Sequence, residues 1–112
     1  MKKLEMLIRH SRLEAVKRAL LGIHIQGMTI SDVKGFGRQR GHKEVYRGKE
    51  LLVDYVPNLK IEVALEDHMV ETAIAAVCEA ASTGEVGDGK IFISSLDDVV
   101  RIRTGERGER AL

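Results

Sequence analysis

Several residue types on which common functions depend are scarce in this chain of 112 residues. Its single cysteine cannot form an internal disulfide, which fits the reducing cytoplasm. It has no tryptophan, two phenylalanines and two tyrosines, so ring stacking on nucleic-acid bases has little support. No apolar run approaches the roughly 18 residues of a membrane span, and no signal peptide precedes the first strand pattern. We therefore expect a cytoplasmic protein that is not inserted in a membrane.

Neither sign of charge is in large excess. The 18 basic residues nearly balance the 17 acidic ones, for a net charge of +1. A general binder of nucleic acid or of membrane surfaces would be visibly basic, so the balance argues against both classes. The four histidines are scattered and show no ligand spacing with cysteine or carboxylates, which argues against a zinc site. The length favours one domain, spanning residues 1–112.

Hydrophobic periodicity predicts strands and helices in turn. Alternating apolar residues indicate four strands, at about 3–8, 28–34, 59–65 and 91–94, with a short extension at 99–103. Apolar residues at helical spacing indicate two helices between them, and we expect Ser11 and Asp67 to be their N-caps. Cys78 lies on the apolar stripe of the second helix, so we expect it to be a small buried side chain. From Gly35 to Asp54 no period holds, which predicts a functional or mobile loop.

The order strand, helix, strand, strand, helix, strand favours an α+β fold, the ferredoxin-like βαββαβ sandwich. In that fold an antiparallel sheet carries both helices on one face. The other face would be uncovered and the edge strands would need protection. Self-association would supply both, so we expect an oligomer.

The segment from Thr83 to Lys90 carries the clearest ligand chemistry. Its three glycines allow sharp turns that bring bare N–H groups against a ligand. Lys90 adds a point charge suited to phosphate. Arg101 and Arg103 are spaced to lie on one face of a strand and would add two more cations. The pattern predicts an anion site, and a nucleotide polyphosphate is the anion that we expect.

Two motif matches are incomplete. Gly84 to Lys90 reads G-x-x-x-x-G-K, but Ile91 follows where a P-loop needs Ser or Thr, and the order here is helix, loop, strand. Lys34-Gly35-Phe36-Gly37 copies the start of the RNP1 motif of RNA-recognition domains, but the stacking residues that should follow are missing. An RNA-binding domain therefore remains a minor alternative.

These segments together resemble the PII signal-transduction proteins. The stretch from Thr83 to Ile93 closely resembles the family's C-terminal signature, and the similarity runs from Lys2 to the C-terminus. Further segments resemble the family in the same order: Lys34-Gly35-Phe36-Gly37-Arg38-Gln39, Gly41-His42, Tyr46-Arg47-Gly48 and Arg101-Ile102-Arg103-Thr104-Gly105-Glu106.

The resemblance implies a ferredoxin-like subunit in a homotrimer, with ATP or ADP in each of three clefts between subunits. Lys90, Arg101 and Arg103 match the family's phosphate-binding cations. The other residues that the resemblance assigns to the nucleotide site are Thr29, Gly37, Arg38, Gln39, Glu62, Ala64, Gly87, Asp88 and Gly89. Gln39 also matches the glutamine that helps to hold Mg²⁺ and 2-oxoglutarate beside ATP. The segments at 83–90 and at 102–112 are then the B-loop and the C-terminal loop.

Residues 37–54 correspond to the family's T-loop, which docks on target enzymes or membrane transporters and changes shape with ligand. The residues expected to contact a partner are Arg40, Tyr46, Arg47, Gly48, Lys49, Glu50 and Leu51. Leu51 replaces the tyrosine that enteric members uridylylate, so that modification is excluded at this position. Lys49 likewise replaces a serine that some members phosphorylate.

Asn58 replaces the lysine that pairs with a carboxylate of 2-oxoglutarate. A neutral amide donates hydrogen bonds but gives up the charge pairing, and charge-assisted bonds are roughly twice as strong. We therefore expect weak or absent 2-oxoglutarate binding. Arg9-His10-Ser11 also departs from the Lys-Pro-Phe that the family usually has there.

No arrangement of Ser, His and Asp and no isolated carboxylate pair suggests a catalytic centre. A regulator that reads ATP against ADP is therefore favoured over an enzyme. The alternative from another class is a slow ATP-hydrolysing enzyme that uses the same cleft, although no residue is clearly placed to position water.

Overall fold

A computed structural model describes residues 1–35, 43–46, 49–52 and 56–112, and side chains outside 36–57. The strands are β1 (Lys2–Ile8), β2 (Thr29–Gly35), β3 (Lys43–Tyr46), β4 (Lys49–Leu52), β5 (Val56–Leu65) and β6 (Lys90–Ser95). The α-helices are α1 (Leu13–Gly22) and α2 (Val70–Ala81). Short 3₁₀ turns lie at His10–Arg12, Asp67–Met69 and Gly108–Ala111.

Four strands form the main sheet in the order β2-β5-β1-β6, and every neighbouring pair is antiparallel. The central strand β1 pairs Leu4 with Val63 on one side and with Ile93 on the other. With α1 after β1 and α2 after β5, this is the ferredoxin-like βαββαβ sandwich that the sequence predicts. The strands at the two edges are β2, which leads towards residue 36, and β6, which follows the B-loop.

The two helices cover one face of this sheet. Leu4, Met6 and Ile61 are fully buried there, together with Val16 and Leu20 of α1. Burial of each such side chain contributes about 1.5–3 kcal/mol, so the alternation along β1 and β5 fixes which face turns inward. The opposite face, which we call the open face, carries Lys3 and Glu5 of β1 and Lys60 and Glu62 of β5.

The predicted N-caps are wrong. Each helix is preceded by a 3₁₀ turn, and neither Ser11 nor Asp67 makes a side-chain capping hydrogen bond. The Asp67 carboxylate instead pairs with the ammonium group of Met1 at 2.9 Å. Because the 3₁₀ turn already satisfies part of the first-turn backbone, a side-chain cap is not needed.

The prediction of a buried Cys78 is also wrong, since its side chain is exposed. Val77 and Ala81 are buried residues of the apolar stripe of α2, and Cys78 lies at the margin of that stripe.

Between β2 and β5 the structure contains a ribbon that the sequence pattern did not predict. Strands β3 and β4 pair antiparallel from Lys43↔Leu52 to Tyr46↔Lys49 and form a sheet of their own. Strands that pair with each other, rather than with the main sheet, need no alternation directed at the core. Periodicity therefore gives no signal for them.

Candidate functional site

The B-loop joins the end of α2 to the start of β6. Gly84, Gly87 and Gly89 all have positive φ, at 80°, 103° and 108°. At Gly89 a Cβ atom would also overlap the carbonyl oxygen of Leu7, so the loop lies directly against β1. Only glycine meets both conditions, because other residues are strained in this conformation.

The Asp88 carboxylate holds the B-loop closed from within. It accepts hydrogen bonds from the hydroxyl and the amide of Thr83, the latter at 2.8 Å, and from the amide of Gly84 at 3.1 Å. Arg9 adds a bond from Nε to Asp88 Oδ1 at 3.2 Å. The hydrogen bonds from Thr83, followed by those from Arg9 and Gly84, hold the pKa of Asp88 well below its usual range. The Asp88 side chain is therefore committed to its own loop, and a ligand could use its backbone.

Arg9 is a residue of this site that the sequence reasoning missed. Its Nη2 donates to the carbonyl oxygen of Val86 at 2.7 Å, in addition to the contact with Asp88. In the sequence Arg9 is notable only as part of Arg9-His10-Ser11, the segment that differs from the Lys-Pro-Phe usual in the family that the chain resembles. Its contact spans 79 residues, so no local spacing reveals it.

The B-loop leaves polar groups available to a ligand. The amides of Gly87 and Asp88 donate no hydrogen bond to any residue that the structure describes. Lys90, the last residue of the B-loop, is exposed and is also the first residue of β6. N–H groups in a glycine turn next to a lysine are suited to an anion.

The open face places three predicted nucleotide residues in the same sheet as Lys90. Thr29 lies opposite Glu62, and Ala64 follows on the same side of β5. Lys90 lies opposite Leu7, which in turn lies opposite Lys60. Because neighbouring strands lie about 4.8 Å apart, the Cα atoms of Lys90 and Lys60 are about 10 Å apart across the sheet.

Two ion pairs lie on the open face. Lys60 contacts Glu62 at 3.2 Å, and Lys3 contacts Glu5 at 2.9 Å. The hydrogen bond from Lys3 holds the pKa of Glu5 below its ordinary value. Glu62, expected as a nucleotide residue, is thus already ionically paired, and about 29% of its side chain is exposed.

The prediction that Arg101 and Arg103 lie on one face of a strand is wrong. After the isolated bridge between Val100 and Arg107 the chain turns, with the amide of Gly105 donating to the carbonyl of Arg101 at 2.7 Å. A positive φ of 74° at Gly105 makes this turn possible.

Neither arginine joins the B-loop within one chain. The guanidinium of Arg101 binds the Glu106 carboxylate at 3.2 Å and the carbonyl of Arg110 at 2.9 Å. Arg103 is exposed on the turn. In the part of the chain that the structure describes, no hydrogen bond or ion pair links either one to Lys90.

The T-loop predictions fall largely outside the described residues. Those that lie outside are Gly37, Arg38, Gln39, Arg40, Arg47 and Gly48. Tyr46, Lys49, Glu50 and Leu51 have their backbones in the β3–β4 ribbon, and their side chains are not described. Within the described ranges, no three His, Cys, Asp or Glu residues cluster as metal ligands, and Gln39, the residue expected near Mg²⁺, is outside them.

A cavity of about 390 Å³ lies beside the B-loop, between α2 and β6. Ile74, Val77 and Ile91 line its apolar part, and Asp88 and Lys90 stand at its polar end.

Among the residues described, no helix combines the length and the apolar character that crossing a membrane requires.

Comparison with known proteins gives a consistent result over the whole chain. A family model described as nitrogen regulatory protein P-II matches residues 1–106. The chain is 54% identical to the nitrogen regulatory protein P-II of Azospirillum brasilense and 53% identical to that of Rhodospirillum rubrum, with both chains covered completely. These relatives are named as regulatory proteins, which confirms the expectation of a regulator rather than an enzyme.

Its fold is similar to that of a crystal structure of Arabidopsis thaliana PII bound to citrate. The TM-score is 0.82 at 41% sequence identity, covering 99% of this chain and 91% of that one.

Proposed function

Because the chain belongs to the nitrogen regulatory protein P-II family, we propose that it is a signal-transduction regulator that binds ATP or ADP. The B-loop and the open face would hold the nucleotide. The T-loop would carry the resulting signal to a target enzyme or membrane transporter in the cytoplasm.

The observation that carries this proposal is the B-loop itself. Three glycines at positive φ and the internal bonds of Asp88 fix a turn whose Gly87 and Asp88 amides are available, directly before Lys90. Preformed N–H groups beside a lysine charge suit a polyphosphate, because the backbone donors need little further ordering on binding. Thr29, Glu62 and Ala64 on the same face would then contact the base or the sugar.

Arg101 and Arg103 would reach the nucleotide from a neighbouring subunit. They make no contact with the B-loop of their own chain in the part that the structure describes, yet the resemblance assigns them to the phosphates. The exposed apolar side chains of β6 and the following segment, Phe92, Ile93 and Ile102, favour burial between subunits. We therefore propose a homotrimer with nucleotide in its three clefts.

Light scattering tests this association directly. The expected mass is three times the 12.4 kDa of the chain. A monomer at micromolar concentration would refute the shared cleft, since Arg101 and Arg103 could not then be supplied in trans.

Gln39 would help to hold Mg²⁺ on the nucleotide phosphates, with Arg38 approaching the same phosphates from Gly37 onward. These roles rest on family membership. The cation would offset phosphate charge and orient the oxygens. ATP and ADP would differ in how they engage this end of the T-loop, and partner contacts through Arg40, Tyr46 and the residues from 47 to 51 would follow that difference.

Equilibrium dialysis with ATP and with ADP tests the site. The variant Lys90→Gln removes a phosphate cation and should weaken binding by about tenfold or more, since a charge-assisted bond contributes about 1.5–3 kcal/mol. Lys17→Gln, on α1, is the matched control and should bind as the unaltered protein does. Equal affinities for the two variants would refute the assignment of Lys90.

A further inference from the structure

Arg9 directly follows β1 and connects this central strand to the B-loop. Its guanidinium uses two nitrogens, Nε on Asp88 Oδ1 at 3.2 Å and Nη2 on the Val86 carbonyl at 2.7 Å. About 32% of the Arg9 side chain and 23% of the Asp88 side chain are exposed, so the pair is partly shielded from solvent. The two acceptors lie two residues apart, and the fork of one guanidinium fixes both.

The sheet register explains why Arg9 reaches the loop. Leu7 lies opposite Lys90, so continuing the antiparallel register by two residues places Arg9 opposite Asp88. The loop also touches β1 at Gly89, against the Leu7 carbonyl. Two contacts, at positions 7 and 9, therefore hold the loop to the end of β1.

Arg9 differs from the other groups that bind Asp88. Thr83 and Gly84 belong to the loop itself and would move with it. Among the described side chains, Arg9 supplies the hydrogen bonds to the loop that come from outside it. Arg9 is therefore placed to hold the loop against the end of β1.

We propose that Arg9 is a positioning residue for nucleotide binding, holding the B-loop in the shape that presents its amides to the phosphates. This inference rests on the proposed function. It assigns Arg9 no contact with the nucleotide. If the loop adopts its binding shape only part of the time, the Kd of every ligand that binds this shape rises by the same factor. That factor is the reciprocal of the fraction of molecules in the binding shape.

The test compares Arg9→Gln with Arg18→Gln, an exposed arginine of α1 that carries the same charge. In Arg9→Gln we expect the Kd for ATP and the Kd for ADP to rise by a common factor of about ten, as a loop populated about a tenth of the time would give. The Kd values of Arg9→Lys should lie between those of the unaltered protein and those of Arg9→Gln, because one ammonium group cannot bind both acceptors as the guanidinium fork does. Arg18→Gln should leave both values unchanged.

Hydrogen exchange without nucleotide supplies the second readout. Amides of residues 83–89 should exchange faster in Arg9→Gln than in the unaltered protein, while the urea midpoint of global unfolding barely changes. This combination separates a positioned loop from a general loss of stability.

Four results would overturn the inference. They are unchanged nucleotide affinity in Arg9→Gln, unchanged loop exchange, an equal loss in Arg18→Gln, and a loss confined to ATP, which would indicate direct contact with its terminal phosphate. Failure of the unaltered protein to bind nucleotide would instead refute the proposed function, so the two failures are distinguishable.

Discussion

Replacing Asn58 by lysine should create a response to 2-oxoglutarate. Asn58 is a partly buried residue of β5, opposite Val33 of β2 and on the same side of the strand as Lys60. One step beyond the register of β1 and β5, position 9 comes opposite it. Arg9, the cation beside position 58 on β1, is already paired with Asp88. A lysine at position 58 would therefore add a positive charge that Asp88 does not already neutralise.

The size of the effect follows from the kind of hydrogen bond that changes. A neutral donor contributes about 1 kcal/mol and a charged one about 1.5–3 kcal/mol. The gain of about 0.5–2 kcal/mol corresponds to about a 2- to 30-fold lower Kd. Because the side chain is partly buried, solvent screening would reduce but not abolish this gain.

Calorimetric titration of 2-oxoglutarate, with Mg²⁺ and ATP present, measures the change. The unaltered protein should give little or no heat, and Asn58→Lys should give a saturable signal. Thr72→Lys, at an exposed position of α2, adds the same charge elsewhere and is the control. Tight binding by the unaltered protein, or equal behaviour of the two variants, would refute the reasoning about Asn58.

Three further predictions concern the loop and the helix start. Gly89→Ala should lower the free energy of unfolding by about 2–4 kcal/mol, because its φ is positive and a Cβ overlaps backbone, whereas Gly27→Ala should be close to neutral in the same urea titration. Asp88 has a depressed pKa in the folded state, so its stabilisation is complete above the unfolded pKa of about 3.9 and is lost as pH falls through the lower folded value. The difference in free energy of unfolding between the unaltered protein and Asp88→Asn should therefore shrink as the pH is lowered from 7 into the acid range. A difference that stays constant with pH would contradict this. Ser11→Ala should change stability by less than about 0.5 kcal/mol, against about 1 kcal/mol for a true N-cap, as thermal unfolding would show.

The main sheet and its helices could be predicted because their apolar residues repeat with the period of the element. Leu59, Ile61, Val63 and Leu65 alternate against one core, so both the strand and its inward face follow from sequence. The same logic failed at Cys78, where a stripe seen in sequence is wider than the surface that the helix buries.

The parts that sequence reasoning missed depend on long-range contacts. Arg9 meets Asp88 across 79 residues, and Arg101 is turned away from a strand by Gly105 and by its pairing with Glu106. Such pairings leave no periodic signal. The glycine turns of the B-loop could be predicted because positive φ is a preference of glycine itself, whereas phosphate binding by Lys90 stays a prediction.

Calorimetric titration of the unaltered protein with ATP and with ADP tests whether this chain binds adenine nucleotide, as a sensor working through the B-loop must. We expect saturable binding of both nucleotides with one molecule per chain. Absence of heat with either nucleotide at millimolar concentration and at two temperatures would contradict it.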